Sequence, residues 1–189
     1  MSLRDQTKRL FADTLVEMMR SEPLEKIRVK AICERCGAER QSFYYHFRDK
    51  YDLVAWIFMQ DYTAALDKAG GIPGEEQLAA VLRAIWSKQA FYRKAFSDRS
   101  QNAIGRYIFD YFVAMDTEAV KRHSGAQQLD AETLYVIRSH NFASLGHTIE
   151  WLDGREDYSP EEFAHLQFAF MPDVTKRAYG LQEQTPTRP

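Results

Sequence analysis

Residues 36–50 are Cys36-Gly37-Ala38-Glu39-Arg40-Gln41-Ser42-Phe43-Tyr44-Tyr45-His46-Phe47-Arg48-Asp49-Lys50. Gly37 is a helix stop, since a residue without a Cβ enters the left-handed conformation at little cost. A short helix follows it, and Phe43 and Phe47, four residues apart, give that helix one apolar edge. Arg40, Gln41, Ser42, Tyr44, Tyr45 and His46 project from its other sides. Solubility needs far fewer hydrogen-bonding tips than this. A helix lying in a DNA major groove needs about this many, to touch base edges and phosphates.

The preceding residues supply the other half of the motif. Val29, Ile32, Cys33 and Cys36 recur at helical spacing and mark the buried stripe of a second short helix that ends at Gly37. Two short helices joined by a tight glycine turn form a helix-turn-helix, predicted over residues 28–46. The pair Cys33-x-x-Cys36 is the chain's whole cysteine complement. A zinc site needs a second ligand pair and a dithiol redox site a β-α-β setting, and the sequence offers neither. Both cysteines therefore read as packing residues.

Outward from the motif the chain reads as all-α. Leu10, Phe11, Leu15, Met18 and Met19 give a first helix its apolar face, with Pro23 beyond its end. A longer helix begins near Asp49 and carries Leu53, Val54, Ile57 and Phe58; the breaker Gly70-Gly71-Ile72-Pro73-Gly74 ends it. From Glu75, Leu78, Val81, Leu82 and Ile85 define another helix, expected to break or bend before Phe91-Tyr92. A helix over 102–123 and a long one over 130–153, stopped by Gly154, come next. Ser159-Pro160-Glu161-Glu162 is a strong helix start, with a capping hydroxyl, proline at the first position and acids on the positive dipole end. That helix is expected to run to about Met171, before Pro172. The predicted organisation is an N-terminal three-helix head over 1–48, a helical regulatory and dimerisation body over 49–181, and a disordered tail over 182–189.

Charge divides the same way. The net charge of −2 combines 11 Lys and Arg against 8 Asp and Glu in residues 1–50 with 14 against 19 in the rest. A mildly basic head on an acidic body suits a DNA-reading unit joined to one that does not touch DNA. No apolar run approaches a membrane span and no signal-peptide core is visible, so a cytoplasmic protein without membrane contact is expected. His140, His147 and Glu150 share one side of a helix, but without a fourth ligand they read as a polar helix face. No metal and no cofactor is expected. With no Ser-His-Asp pattern or phosphate loop either, an enzyme is not expected.

A three-helix DNA-binding head, a longer connecting helix and an all-helical body resemble the tetracycline-repressor (TetR) family of bacterial regulators. Val29, Ile32, Gly37, Ser42, Phe43, Tyr44, His46, Phe47, Lys50 and Leu53 stand where that family's pattern has similar residues. Residues 40–47, Asp49, 51–53 and 56–58 look most like the branch related to regulators of dihydroxyacetone kinase operons, some of which are activators or work with partner proteins. Two positions depart from the pattern: Arg28 replaces the usual capping Thr or Ser of the second helix, and Glu39 replaces Ser at the start of the recognition helix. Arg28 cannot cap but can reach a phosphate; Glu39 suits the helix dipole and is repelled by phosphates.

The resemblance implies a repressor, dimeric on a palindromic double-stranded operator and released by a small-molecule effector. The alternative is a co-regulator of the same fold that acts through a protein partner without DNA contact of its own. Arg40 suits a guanine edge and Gln41 an adenine edge. Ser42 can reach a base or a phosphate, Tyr45 a thymine methyl or a phosphate, and Arg28, Tyr44, His46 and Lys50 hold the backbone. The homodimer contact is expected from Leu134, Ile137, Leu145 and Leu152 on one helix with Phe163, Leu166 and Phe170 on the next. Candidates for the effector pocket are Trp56, Trp86, Tyr92 and Phe96, together with Phe109, Phe112, Phe142 and His147.

Overall fold

Apolar residues at helical spacing leave each segment one face to bury, and the chain buries those faces by packing helix on helix. The computed structural model describes residues 3–70, 74–97 and 104–181; among them lie ten α-helices, one 3-10 turn and no strand. The glycine-rich 71–73, Asn102 at the expected start of the 102–123 helix and the tail at 182–189 lie outside the described residues.

In the head, α1 (Leu3–Ser21) buries Phe11, Ala12, Leu15, Met18 and Met19. Leu10, expected on this face, is one position off the stripe and exposed. A 3-10 turn at Leu24–Lys26 follows, too short to leave a periodic signal in the sequence. The helix-turn-helix is α2 (Val29–Cys36) and α3 (Arg40–His46). Gly37 between them has φ 66°, and its N–H and that of Ala38 tie back to α2 carbonyls. Cys33 is buried, Cys36 half-buried, and both are free thiols. Arg28 and Glu39 occupy the two N-cap positions without a side-chain cap bond. The connecting helix α4 (Lys50–Lys68) is capped by Asp49, whose carboxylate accepts from the backbone N–H of Tyr51 at 2.8 Å and of Asp52 at 2.9 Å.

The body holds α5 (Glu75–Ser87), α6 (Gln89–Ser97), α7 (Ile104–Ser124), α8 (Ala131–Leu152), α9 (Pro160–Ala169) and α10 (Asp173–Ala178). The break expected before Phe91 falls at Lys88. Asp130 caps α8, and Ser159 with Glu162 forms a complete capping box on α9. Those bonds and the dipole hold the Asp130 and Glu162 carboxyls below the usual carboxylate range. Helix α10 was not foreseen: Pro172 ends α9's run and then serves as the N-cap of a new helix.

One apolar core runs from the head through α4 into the body, from Phe11 to Ala164. Its largest member, Trp151, is fully buried between Trp86 (ring centroids 4.5 Å apart) and Phe163 (4.9 Å). Its indole N–H donates to the Tyr158 carbonyl at 2.8 Å, which satisfies the one polar atom this ring carries into the core.

A Cβ at Gly37 would meet no atom within 4 Å, so substitution there tests backbone conformation alone. Gly37→Ala is expected to destabilise the fold by about 1–2 kcal/mol, the cost of a left-handed L-residue, and Gly37→Asn by less. Chemical denaturation measures both; an Ala variant as stable as the parent would show that the turn does not need this conformation.

Candidate functional site

Helix α3 is fixed from its apolar edge. Phe43 has no exposed surface, meets Phe11 edge-on with ring centroids 5.2 Å apart, and lies 5.7 Å from Phe47. With that edge locked, the remaining sides of α3 must face outward. Arg40, Gln41, Tyr44 and Tyr45 are exposed, the tyrosines at 49% and 72%, and Ser42 is half-buried. Arg28 is exposed beside the start of α2. The Arg40 guanidinium sits 5.9 Å from the Tyr44 ring centroid, which lines up a cation and a phenol on one outer surface.

Two of the residues expected at the DNA backbone are less simple. His46 is half-buried, and its Nδ1 is buried without a partner among the described residues. Burial first, then the positive charges of Lys8 and Arg4, hold its pKa below the usual histidine value, so it is neutral at neutral pH. It can meet a phosphate as a hydrogen-bonding ring, not as a cation. Lys50 turns inward: its ammonium donates to the carbonyls of Leu24 (2.7 Å), Glu25 (2.9 Å) and Ile27 (3.0 Å). It ties α4 to the 3-10 turn, and a lysine that spends three donors on carbonyls has little left for a phosphate.

Two basic residues that sequence reasoning passed over stand beside α3. Arg4 lies 5.7 Å over the Tyr45 ring, and Lys8 lies 5.7 Å over both Phe47 and Trp56. Both belong to α1, where nothing in the local pattern separates them from ordinary solvated charges. Only the packing of α1 against α3 brings their charge to this face.

The body holds a cavity of about 170 Å³ that is partly open to solvent. Its wall draws Phe58 and Tyr62 from α4, Leu82 from α5, Phe96 from α6, Phe109 and Phe112 from α7, and Leu145 from α8. Of the eight expected pocket residues, Phe96, Phe109 and Phe112 line it. The other five are placed elsewhere. Trp56 packs on Phe47 in the head, and Trp86 stacks on Trp151. Tyr92 is fully buried, with its hydroxyl donating to Asp61 at 2.6 Å in a network that also holds Lys88. Phe142 is 73% exposed and meets Phe109 only edge-on. His147 is exposed and pairs with Glu156 at 2.6 Å.

The cavity also holds a polar group that the sequence did not flag. Asp116 of α7, only 6% exposed, accepts from the Asn141 amide at 2.7 Å and from the Tyr179 hydroxyl at 2.8 Å. Burial raises its pKa against those two hydrogen bonds, and with burial of the rings it pushes up both Tyr179 and Tyr62.

The expected dimer residues also separate. Ile137 and Leu152 are fully buried inside the body and have no surface for a second copy, while Phe163, 2% exposed, lies at the floor of the groove between α8 and α9. Leu145 borders the cavity, and Leu134 is half-buried. Leu166 and Phe170 do line an open groove between α8 and α9, together with Tyr135, Val136, Ser139 and Ala143. The aromatic surface here is large: Tyr135 is 73% exposed and Phe170 80%. His140 and His147 both border the groove, His140 the cavity as well, but Glu150 pairs with Arg155 at 2.9 Å, so the three form no ligand set. Among the described residues no cluster of three metal-ligating side chains occurs, and no helix is long and apolar enough to cross a membrane.

Comparison with known proteins adds to this geometry. The family profile described as bacterial regulatory proteins, tetR family, matches residues 12–57, and that described as transcriptional regulator C-terminal region matches residues 75–173. The HTH-type dhaKLM operon transcriptional activator DhaS of Lactococcus lactis subsp. lactis (strain IL1403) is 29% identical over 115 residues, which span 55% of this chain and 62% of that relative's length. A solved structure of the dihydroxyacetone kinase operon activator DhaS shares the fold, with a TM-score of 0.59 at 20% identity over 87% of this chain and 93% of that one. The R. erythropolis transcriptional repressor QsdR, from the TetR family, aligns at a TM-score of 0.43 and 18% identity over 94% and 96% of the two chains.

Replacing Lys50 by Met removes three charge-assisted bonds while keeping the stem. The variant is expected to lose on the order of 2 kcal/mol of stability, the scale of hydrogen bonds to a charged group. A variant of unchanged denaturation midpoint that only binds DNA less tightly would return Lys50 to the phosphates.

Proposed function

The chain belongs to the TetR family of bacterial transcriptional regulators, and from that premise we propose that it is a dimeric, sequence-specific DNA reader whose affinity for a palindromic operator is set by a small molecule in the body. The observation that carries the reading is the face of α3. Arg40, Gln41, Tyr44 and Tyr45 are exposed on a helix whose orientation is locked by a fully buried Phe43. Arg40 and Gln41 carry base recognition; Arg28, Ser42, Tyr44, Tyr45 and His46 fix the register on the backbone, joined by Arg4 and Lys8. A regulator acting only through a protein partner has no need of such a face.

A single helix-turn-helix grips DNA weakly, and two-fold pairing sets two recognition helices about 34–36 Å apart, one helical turn of DNA. We assign that pairing to the outer faces of α8 and α9. Tyr135, Phe142 and Phe170 leave an aromatic surface that a monomer has no reason to expose, and Ser139, Ala143 and Gly146 let a second helix approach closely. The functional division stays at residues 48 and 49, the first part reading DNA in the cytoplasm and the second pairing and sensing. The Lactococcus relative is named an activator, while effector release from an operator describes a repressor; the same contacts serve both, and the position of the operator relative to the promoter decides the sign.

DNA-affinity selection on fragments of the source genome, followed by titration at several salt concentrations, tests the reading. The expected result is an enriched palindrome whose affinity falls steeply with salt. Arg40→Ala with Gln41→Ala is expected to lower affinity for that site at least about tenfold and to leave salt-dependent non-specific binding, since each base contact is worth about 1–3 kcal/mol. No enrichment by the parent chain would move the function to a partner-dependent co-regulator. On the assembly, Phe142→Asp combined with Phe170→Asp is expected to give a folded monomer in sedimentation velocity with operator binding lost; a dimer unchanged by these charges would place the pairing elsewhere.

A further inference from the structure

The cavity is almost wholly apolar, yet a carboxylate is built into its wall. Asp116 is 6% exposed, and Asn141 and Tyr179 each place one donor on one of its oxygens. An ionised carboxylate offers about four acceptor sites, so two donors leave room for another. No ion pair reaches it among the described residues, and the wall contains no Lys or Arg. His140 shares the wall, but burial pulls its pKa down and keeps it neutral at neutral pH. Lys176, the nearby ammonium, donates to the Ala169 carbonyl at 3.1 Å and lies over the Phe168 ring.

Asp116 ties α7 to Asn141 of α8 and to Tyr179, but a neutral acceptor would hold both donors without the cost of burying a carboxylate that has no counter-ion. That cost is eased by the raised pKa that burial imposes. A cation entering the cavity would remove it directly. The rest of the wall fits the remainder of such a molecule: Phe58, Phe109 and Phe112 give aromatic surface, and Leu82 and Ile108 close it with aliphatic groups. The volume, about 170 Å³, is close to the ~150 Å³ of an engineered cavity in another protein that accepts benzene, so the ligand is one ring with a short arm. Anionic ligands have no Lys or Arg to meet in this wall, whose polar side chains, His140, Asn141, Ser144, Thr148 and Gln167 among them, are uncharged at neutral pH except for Asp116.

We infer that the cavity is a site for a small arylalkylamine-like ligand, an apolar ring carrying a protonated amine that seats against Asp116. This rests on the cavity being the effector site of the proposed regulator. Because the wall includes Tyr62 and Phe58 of α4, whose first turns are packed in the DNA-reading head, the ligand touches the helix that carries the head.

Calorimetric titration of the full chain with matched pairs, phenethylamine against phenethyl alcohol and phenylpropylamine against phenylpropyl alcohol, tests the inference. In at least one pair the amine is expected to bind at least about tenfold tighter than its alcohol, a clear separation on an affinity scale. In Asp116→Asn the amine is expected to fall to the level of the alcohol, whose own binding changes little. The parent-chain comparison stands even if that variant misfolds. Alcohols binding as well as amines in both pairs, or no amine binding at all, would overturn the inference. Repeating the operator titration with the amine present separates the two readings. An amine that binds through Asp116 and leaves operator affinity unchanged upholds the site and removes its effector role; unchanged operator recognition beside a failed amine titration upholds the DNA reader and removes the site.

Discussion

Phe43 is where the structure's main constraint lies. Its ring has no exposed surface and is wedged edge-on against Phe11, with Phe47 behind it. A short helix of seven residues holds itself together poorly. Its position comes from this buried edge and from the left-handed Gly37 that sets its entry angle. Once the edge is buried, helical geometry sends Arg40, Gln41, Tyr44 and Tyr45 outward with no further instruction. The polar face is thus a consequence of an apolar one, and a change at Phe43 would disorder the whole face rather than remove one contact from it.

The same core continues into α4, which makes this helix the mechanical link of the molecule. Leu53, Val54 and Ile57 share the core with Phe43 and Phe47, while Phe58 and Tyr62 line the cavity further along. At about 1.5 Å per residue its 19 residues span about 28 Å. A second link runs through α6, where the Lys94 ammonium donates to the carbonyls of Met19 at 2.7 Å and Arg20 at 2.9 Å, closing the end of α1. Two residues on, Phe96 is in the cavity wall. Two elements that border the cavity, α4 and α6, are therefore packed on or bonded to the head.

The head was legible because its signals are local. Gly37, the stripe from Val29 to Cys36 and the pair Phe43 and Phe47 all lie within one or two turns of what they determine. Helix starts marked by Asp49, Asp130 and Ser159 were legible for the same reason. The cavity was not, because in an all-helical body an aromatic at helical spacing looks the same whether it fills a core, as Trp86 and Tyr92 do, or lines a void, as Phe96 and Phe112 do. Nothing in the sequence separates Asp116 from an acid on a solvated face, since its partners stand 25 and 63 residues away in the chain. For Lys50 the charge suggests phosphate, while its partners, three carbonyls more than 20 residues earlier, leave no trace in sequence. Chemistry assembled by tertiary contact is what sequence periodicity cannot carry.

The proposed dimer face and the proposed ligand site are not independent. His140, Ser144 and Gln167 border both the cavity and the α8–α9 groove, so a single layer of side chains would separate the proposed ligand from the proposed second copy. A ligand changes DNA affinity only by binding one arrangement of the protein better than another. In a two-fold dimer the quantity that matters is the separation of two recognition helices, and both α4 and the pairing helices set it. A ligand that presses on Tyr62 on one side and on Ser144 on the other can therefore act on tilt and pairing together. Because close-packed walls shift between discrete arrangements rather than yielding gradually, a small ligand is enough to bias that separation.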